Sequence, residues 1–298
     1  MESGDLAVFL AVAEAGSIGR AADRLHIVQS AVTTRIRKLE GRLDASLFRR
    51  HARGVALTAA GETLLPFARQ VIRLLAEARQ AVSDGGAPRG RLLLGAMETA
   101  AALRLGTVLA GFSTSFPQVE LTLRTGTTAE MVQGVLRQEL EAAFVCGPVA
   151  HAQLSVQPVF RERLVVVAAR DVPDLVAATA SGQVRILVLR RGCSYRQRLE
   201  ELLARRGVAV VQVLEYGTVD AILACAAAGM GISLLPAALL DRWRAQHAVS
   251  ALPLPGRDGD AETVLVRRAQ SYVSGSLRAF LDTLEVADAP RAQMTAAE

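Results

Sequence analysis

The sequence predicts an α/β protein with a small N-terminal helical domain, one long connecting helix and a larger C-terminal domain. Three observations support this fold class. Apolar residues recur every three or four positions near the N-terminus, which is typical of amphipathic helices. A segment rich in Gly, Pro and Ser, residues 83–90, then interrupts the helical pattern. Beyond it, short apolar runs alternate with helical segments, as in sheets that carry helices on both faces.

Length and composition narrow the class of protein. The chain has 298 residues, enough for two or three domains, and is 51% hydrophobic and 21% charged. It lacks a run of about 18 uncharged apolar residues, and its first residues lack a basic signal-peptide region. The cysteines are odd in number and widely spaced, which favours a reducing compartment. We therefore expect a cytoplasmic protein with no membrane partner.

The first two helices follow from spacing and capping. Leu6, Phe9 and Leu10 form an apolar stripe that ends at Gly16. Ser17 is a suitable N-cap for a second, short helix, because its hydroxyl can accept from a free backbone N–H.

The third helix, Ser30 to Leu43, has two chemically different faces. At about 100° per residue, one side carries the apolar residues Val32, Ile36, Leu39 and Leu43. The opposite side carries Ser30, Thr33, Thr34 and Arg37. Short hydrogen-bonding side chains and a guanidinium are what a helix in the DNA major groove needs.

The charge distribution supports a helix-turn-helix. Between Arg20 and Arg53 there are nine Lys/Arg and three Asp/Glu, a difference of +6 that exceeds the +5 of the whole chain. A local basic footprint is typical of nucleic-acid binding. The alternative is a solvated amphipathic helix in an ordinary three-helix cluster, and it does not explain this charge focus.

A hairpin and a long helix come next. Leu47–Phe48 and Val55–Leu57 predict two short strands around a basic tip, residues 49–54, in which Arg53 suits backbone or minor-groove contact. Thr58 then caps a helix over Ala59–Ser83. Its apolar stripe is too long for so small a domain to cover, which predicts a homodimer through this helix; the stripe consists of Leu64, Phe67, Val71, Leu74, Leu75 and Ala78.

The C-terminal region predicts a largely parallel sheet. Eight strands are expected, at Arg91–Ala96, Glu120–Arg124, Glu141–Val145, Leu164–Ala168, Ile186–Leu189, Val211–Glu215, Gly231–Leu235 and Thr263–Arg267. Polar loops follow several of them at their carboxyl ends, where open α/β sheets hold ligands. Hydroxyls and free N–H groups there suit a small anion such as a carboxylate. Crossings near residues 164 and 264 would divide the region into a first lobe (about 91–163 plus 265–290) and a second lobe (about 164–264).

In this order of elements, the first 85 or so residues resemble the LysR-type transcriptional regulators. The matching landmarks are Ala21-Ala22, Leu25, Gln29-Ser30-Ala31-Val32, Ile36, Leu39-Glu40, Leu47-Phe48-Arg50 and Leu57-Thr58-Ala60-Gly61. The segment AAAGMGISLLP, residues 226–236, resembles part of the family's effector-binding domain. The sequence departs from the family pattern at Ser30, Thr33, Thr34 and Asp44, and the first three alter the expected reading face.

The resemblance implies a domain organisation and a set of partners. It implies a winged helix-turn-helix at residues 1–58, a linker and dimerisation helix at 59–87, and a two-lobed effector domain with the periplasmic-binding-protein fold at 88–298. The implied partners are double-stranded DNA, a small-molecule effector and further copies of the chain. The resemblance adds a homotetramer built as a dimer of dimers, and RNA polymerase is a further candidate partner.

The expected site residues fall into two groups. By resemblance, Gln29, Ser30, Thr33 and Thr34 read bases; Arg37 joins them by helical geometry, and Arg53 by its place in the hairpin. Resemblance also implies that the effector cleft is lined by Thr99, Thr125, Thr127, Cys193, Ser194 and Thr218, with Arg196 as a countercharge. Ser and Thr at helix starts are also ordinary caps, so each position has a purely structural alternative.

Other functional classes have less support. Cys193 near a helix start raises a redox-sensing alternative, with Cys225 next in sequence. A solute-binding module without DNA function is a second alternative. An enzyme is not expected, because the chain lacks a Gly-rich phosphate loop and a nucleophile elbow. The four histidines lack metal-ligand spacing, so neither a metal nor a cofactor is expected.

Overall fold

The computed structural model describes residues 1–51, 54–83, 87–243 and 248–284. The chain divides into two compact units, Met1–Gly86 and Ala87–Glu298. The first unit contains α1 (Ser3–Ala15), α2 (Ile18–Leu25), α3 (Gln29–Leu43), β1 (Phe48–His51), β2 (Gly54–Leu57) and α4 (Ala59–Ser83).

The predicted helix boundaries in the first unit are confirmed by their caps. α1 ends at Gly16, which adopts a left-handed conformation. The Ser17 hydroxyl accepts from the backbone N–H of Arg20 at 3.5 Å and starts α2. The Thr58 hydroxyl accepts from the N–H of Gly61 at 3.1 Å and starts α4.

The core of the first unit lies between α1, α3 and the hairpin. Val32, Ile36 and Leu39 of α3 are buried, and the rings of Phe9 and Phe48 lie 5.3 Å apart. Leu43, expected on the same apolar face, is 39% exposed. It is the last residue of α3, where the helix extends past the core.

The hairpin is tighter than predicted. The antiparallel pairing joins Phe48 to Leu57 and His51 to Gly54, so most of the expected basic tip belongs to the strands. A side chain at Gly54 would not fit, because an ideal Cβ there would lie 2.3 Å from the carbonyl oxygen of Gly16. The N–H of Val55 donates to the same oxygen at 3.0 Å, which joins the hairpin to the end of α1.

The second unit alternates strands and helices. Its elements are β3 (Gly90–Met97), α5 (Glu98–Ala100), a π-helical turn (Ala101–Leu105), α6 (Gly106–Ser115), β4 (Val119–Gly126), α7 (Thr128–Leu136), β5 (Ala142–Cys146), β6 (Leu154–Ala169), α8 (Leu175–Thr179), β7 (Gln183–Leu189), α9 (Ser194–Arg205), β8 (Ala209–Tyr216), α10 (Val219–Ala227), β9 (Ser233–Pro236), α11 (Ala237–Trp243), β10 (Val249–Pro253), β11 (Asp260–Arg268) and a final helix at residues 275–284.

The sheet is mixed, and the expectation of a largely parallel sheet is wrong. β3 pairs in parallel with β4 and β5, and β7 pairs in parallel with β8. β11 is antiparallel to both β5 and β6, and β6 is antiparallel to β9 and β10. The two long strands that connect the lobes therefore run against their neighbours.

β6 is the strand that the two lobes share. Its first part, residues 154–163, pairs with β11 in the first lobe, and its last part pairs with β9 and β10 in the second. The chain returns to the first lobe at Asp260, where β11 begins, earlier than the predicted residue 265. In the first lobe, Phe280 packs edge-on against Phe112 and Phe144, with ring centroids 5.3 and 6.2 Å apart.

Candidate functional site

The exposed face of α3 is the first candidate surface. Gln29, Ser30, Thr34 and Arg37 are exposed, and Thr33 is half-buried. All five predicted base-reading residues of this helix therefore reach its open side. Arg53, predicted to contact DNA from the hairpin tip, lies outside the described residues.

The two threonines on this face hold their hydroxyl groups in place. Thr33 donates to the carbonyl oxygen of Gln29 at 3.0 Å, and Thr34 donates to that of Ser30 at 2.9 Å. Each hydroxyl hydrogen is thus bound within the helix, which leaves the oxygen as an acceptor. A face of this kind accepts from the amino groups of adenine or cytosine and offers methyl groups to thymine.

Ion pairs divide the basic residues of the first unit into two sets. Arg24 pairs with Glu14 at 2.7 Å, and Lys38 and Arg42 pair with Glu2 at 3.1 and 2.9 Å. Lys38 and Arg42 hydrogen-bond the Glu2 carboxylate and lower its pKa.

Other cations are available to an external anion. The set of exposed arginines without an ion pair to any described residue includes Arg35, Arg37 and Arg49. Unpaired cations of this kind can bind an external anion such as a phosphate group.

Glu40 fixes the hairpin to the end of α3. Its Oε1 atom accepts from the backbone N–H of Leu47 at 2.8 Å and from that of Phe48 at 3.3 Å. A helix side chain therefore sets where β1 begins. This contact positions the hairpin relative to the exposed face of α3.

α4 exposes a row of apolar side chains. Phe67 is 61% exposed, Leu74 51% and Val82 90%, with Val71 and Leu75 beside them on the same face. Large apolar side chains repeated along one helix face indicate a surface that another protein covers. Within the described residues, no other part of the first unit covers this row.

The second candidate site is a cavity of about 310 Å³ between the two lobes of the second unit. It lies at the carboxyl ends of β3, β4, β7 and β8, as expected for an open α/β sheet. Five of the seven predicted effector residues line it: Thr99, Thr125, Thr127, Cys193 and Thr218. Their hydroxyl and thiol groups come from both lobes.

Thr99 is already engaged with the opposite lobe. It is buried and donates to the hydroxyl of Tyr195 at 3.4 Å, which joins the two lobes. Burial raises the pKa of Tyr195 above its ordinary value, so its hydroxyl stays protonated.

Two other threonines of the cavity cap helices, which is the purely structural role that Ser and Thr at helix starts often have. The Thr127 hydroxyl accepts from the N–H of Glu130 at 3.2 Å and caps α7. The Thr218 hydroxyl accepts from the N–H of Ala221 at 3.3 Å and caps α10. Each hydroxyl still has a hydrogen to donate, because a cap uses the oxygen only as an acceptor.

The lobes are closed onto each other beside the cavity. The N–H of Ala129 in α7 donates to the carbonyl oxygen of Gly192 at 3.2 Å. Gly192 has a φ of +91°, and an ideal Cβ there would lie 2.9 Å from both Ala129 Cβ and Thr127 Oγ1. Only glycine permits this close approach.

Arg198 adds a further connection between the lobes. Its guanidinium, on α9, donates to the carbonyl oxygens of Asp260 at 2.8 Å and Gly147 at 2.9 Å. Both acceptors belong to the first lobe. We call the contacts of Gly192 and Arg198 the interlobe latch.

Ser194 and Arg196 do not line the cavity, which corrects the sequence expectation. Both face a neighbouring open groove of about 1160 Å³. The Arg196 guanidinium binds Glu200 at 3.0 Å and Glu215 at 3.1 Å, so it is not a free countercharge. The geometry of α9 explains this difference. The helix begins at Ser194, and successive side chains are rotated by about 100° around its axis, so neighbouring residues point to different surfaces.

Glu98 and Arg190 also line the cavity, although neither was among the predicted effector residues. Glu98 opens α5 directly after β3, and Arg190 follows β7. Both stand at carboxyl ends of strands, the position that selected the threonines. The same positional signal applies to charged residues as well as to hydroxyls, so it could have found them.

The surroundings of Cys146 and Cys193 give the redox alternative no support. Burial raises the pKa of Cys146 to about 11 and also raises the pKa of Cys193. A redox-active cysteine needs a lowered pKa, because the thiolate is the reacting form. Cys225, the next cysteine in the sequence, lies in α10.

Two other kinds of site are absent from the described residues. They contain no group of three or more His, Cys, Asp or Glu side chains that fits a metal ion. Among the helices of the same part of the chain, none is long and apolar enough to cross a membrane.

Comparison with known protein families covers nearly the whole chain. Residues 3–62 match the family described as bacterial regulatory helix-turn-helix protein, lysR family. Residues 85–288 match the family described as LysR substrate binding domain.

Comparison with individual proteins also finds bacterial transcriptional regulators over nearly the full length of the chain. The chain is 42% identical over 283 residues to the uncharacterized HTH-type transcriptional regulator YusT of Bacillus subtilis (strain 168), covering 95% of each chain. It is 36% identical to the HTH-type transcriptional regulator GltR of the same strain, covering 93% of each. Among solved structures, full-length CbnR complexed with its target DNA is 26% identical, with a TM-score of 0.68 over 96% of this chain and 100% of CbnR. A full-length OxyR variant from Pseudomonas aeruginosa, at 22% identity, shares the fold with a TM-score of 0.71 over 97% of this chain and 95% of that protein.

Proposed function

Because the chain belongs to the LysR family of bacterial transcriptional regulators, it is a DNA-binding regulator with an effector-binding domain, and we propose which residues perform each task. We assign base reading to residues 1–58, self-association to 59–87 and effector binding to 88–298. The observation that carries this assignment is the separation of two surfaces. One is the polar, cationic face of α3, and the other is the hydroxyl-lined cavity between the lobes.

For DNA binding, α3 enters the major groove with Gln29, Ser30, Thr33 and Thr34 toward base edges. Arg37, exposed and without an ion pair to a described residue, reaches a guanine or a phosphate. Arg53 acts from the hairpin tip. The support for this assignment is that the polar side chains and the unpaired cations occupy one unit of the structure.

The test is salt-dependent binding to an operator selected from a randomised duplex library. The slope of log affinity against log salt reports the number of phosphates contacted. Arg37→Ala should weaken binding, and a phosphate contact would lower the slope by about 1. Lys38→Ala is the matched control, because Lys38 is paired with Glu2. Equal losses in both variants would contradict the assigned face.

For effector binding, we assign a small metabolite with a carboxylate to the cavity between the lobes. The side chains of Thr125 and Thr218 are exposed at its walls, whereas Thr99 and Cys193 are less accessible. A ligand that touches both lobes stabilises the closed arrangement through its differential affinity, which shifts the population and changes how the DNA is held.

The effector assignment is tested with small carboxylates and the full-length protein. A ligand at 100 times its dissociation constant stabilises a protein by about 2.7 kcal/mol, which raises the melting temperature. Thr218→Val should weaken a ligand found in this way, and Thr114→Val, an exposed threonine on α6, should not. A blank screen, or equal losses in both variants, would count against the cavity as the effector site.

For assembly, we propose a homodimer through the exposed row on α4 and a homotetramer as a dimer of dimers. The exposed Phe67, Leu74 and Val82 support self-association. A dimer matches the twofold sites that helix-turn-helix proteins read. Contact with RNA polymerase stays a prediction.

A further inference from the structure

The cavity between the lobes contains one charge of each sign. Among the residues that line it, only Glu98 and Arg190 are charged. Glu98 belongs to the first lobe and Arg190 to the second, so the two charges stand on opposite walls. The rest of the lining is hydroxyls, a thiol, glycines and the apolar side chains of Met97 and Leu189, apart from Tyr195 at the interlobe contact.

Neither charge is neutralised within the described protein. Glu98 and Arg190 form no side-chain hydrogen bond or ion pair with any described residue, including each other. Elsewhere in the second unit, by contrast, Arg104 pairs with Glu162 at 2.9 Å. The free carboxylate and the free guanidinium are therefore available to a ligand.

The solvent exposure of Glu98 and Arg190 determines what a bound ligand must supply to each charge. Glu98 is half-buried, and Arg190 is exposed to solvent. A ligand that fills the cavity displaces water from both groups, so a charge that it leaves unpaired loses hydration without compensation. The ligand that fits best carries a partner for each charge.

Resting on the proposed effector function, we propose that the ligand is a small zwitterion, with a carboxylate and an ammonium group in one molecule. Arg190 pairs with the carboxylate, and Glu98 pairs with the ammonium. Free amino acids are the commonest metabolites of this class. A cavity of about 310 Å³ lies at the small end of ligand pockets, which suits a molecule of this size.

This pairing also explains how the ligand would stabilise closure. Its two charged ends would contact different lobes, so both ion pairs form only when the lobes are together. A simple carboxylate pairs with Arg190 alone and leaves Glu98 unpaired in the filled cavity. Because a desolvated and unpaired charge is costly, the cavity rejects such a ligand.

The experiment measures binding of three matched panels to the full-length protein by thermal shift and then by calorimetry. The panels are the twenty standard amino acids with β-alanine and γ-aminobutyrate, the acids that lack their amino group, and the amines that lack their carboxylate. We expect at least one amino acid to bind, and its matched acid and amine to bind at least about tenfold more weakly.

Two substitutions then assign the ends of the ligand. Glu98→Gln should weaken the amino acid at least about tenfold and strengthen binding of its matched acid, because the variant no longer leaves a desolvated carboxylate unpaired. Arg190→Gln should weaken the acid and the amino acid alike. Glu120→Gln, exposed on β4, and Arg170→Gln, exposed directly after β6, are the charge-matched controls. Melting without ligand shows whether each variant is folded.

Three other outcomes would each contradict a different part of the proposal. A matched acid that binds as tightly as the amino acid overturns the zwitterion and leaves the carboxylate effector in place. Amino-acid binding that Glu98→Gln does not weaken overturns the role of Glu98. If no member of any panel binds, both the zwitterion and the carboxylate effector are wrong, and operator binding by α3 remains to be judged on its own salt dependence.

Discussion

The Thr34 side chain on α3 already uses its only hydrogen-bond donor within the helix. Its hydroxyl donates to the carbonyl oxygen of Ser30 at 2.9 Å, so only its lone pairs and its methyl group remain for a base. The helical face was predictable from spacing alone. The direction of this hydrogen bond was not, because a threonine in a helix has more than one rotamer.

Thr34→Ala is therefore expected to relax base preference at one operator position and to leave the salt slope unchanged. The loss of discrimination should be about 1–3 kcal/mol, measured by competition among operators that differ at single positions. Thr63→Ala is the control, since Thr63 on α4 is exposed and makes the same bond to the carbonyl of Ala59 at 2.9 Å. Uniform weakening across all sequences would mean that Thr34 contacts the backbone instead.

The buried thiol of Cys146 predicts a pH dependence of stability. Burial raises its pKa to about 11 from an ordinary 9.0, so the folded state favours the protonated form. This contribution is complete below pH 9 and is lost as the pH rises toward 11. It amounts to at most about 2–3 kcal/mol.

Urea unfolding at several pH values tests this thiol. Wild type should lose more stability between pH 9 and pH 11 than Cys146→Ala does, after allowing for a constant difference from the lost side chain. Cys225→Ala, which leaves the Cys146 thiol in place, should follow wild type. Parallel curves for wild type and Cys146→Ala would contradict the assignment.

At the scale of elements, α4 exposes apolar residues along a helix that the sequence placed correctly. The periodicity of Ala59–Ser83 was strong enough to predict both ends. The same periodicity predicted that the stripe lacks a cover within its own domain. Pro66 lies inside this helix, although proline usually breaks a helix, and the sequence pattern did not indicate that it would be tolerated there.

Leu74→Glu is expected to dissociate the proposed dimer, because it places a carboxylate in the middle of the apolar row. The molar mass is measured by light scattering at several protein concentrations. Ala76→Glu adds the same charge on nearly the opposite side of the helix, about 200° away, at another exposed position. If Leu74→Glu keeps the wild-type mass, α4 is not the self-association surface.

The loop at Gly192 is an element whose conformation limits the closed state. Gly192→Ala should open the lobes locally, because its Cβ would lie 2.9 Å from Ala129 and Thr127. Hydrogen–deuterium exchange should then rise at the amide of Ala129, which loses its bond to Gly192. Gly182→Ala separates strain from contact: it also has a positive φ, +70°, but an added Cβ meets nothing within 4 Å. Equal exchange in both variants would show that backbone strain alone is responsible.

Sequence patterns predicted the positions of some strands and helices accurately and missed others. They located β3, β4 and β5 to within a few residues, because a short apolar or alternating run marks each strand. They missed the first part of β6, where Pro158 and exposed charged residues break the alternation that marks a strand. They also missed the π-helical turn at Ala101–Leu105, since its residues have ordinary helical spacing.

For the whole molecule, the two functions require energetic coupling between α3 and the cavity. Linkage makes this coupling reciprocal: an effector that changes operator affinity must have its own affinity changed by the operator by the same factor. We expect a factor of about 5–150. It is measured as operator affinity with and without effector, and effector affinity with and without operator.

A mismatch between the two ratios would mean that a further equilibrium, such as assembly, contributes. Repeating both titrations at several protein concentrations separates the two. The Glu98→Gln variant should shift the effector curves and leave operator affinity without effector unchanged. A change in that operator affinity would place Glu98 in the coupling rather than in ligand binding.

The composition and charge of the whole chain predicted the class of protein but not the chemistry of its ligand. A net charge of +5 and a local +6 pointed to DNA. The balance of one Glu and one Arg inside a cavity arises only when β3 and β7, far apart in sequence, end at the same place. That coincidence depends on the sheet topology, which local patterns do not encode.

The interlobe latch at Arg198 has a consequence for how the protein can evolve. Both of its acceptors are backbone carbonyls, at Gly147 and Asp260, which every amino acid supplies. Asp260 can therefore change without removing the acceptor, whereas a single codon change at position 198 removes both hydrogen bonds. Positions 192 and 198 are therefore the places where one substitution is expected to change how readily the lobes close.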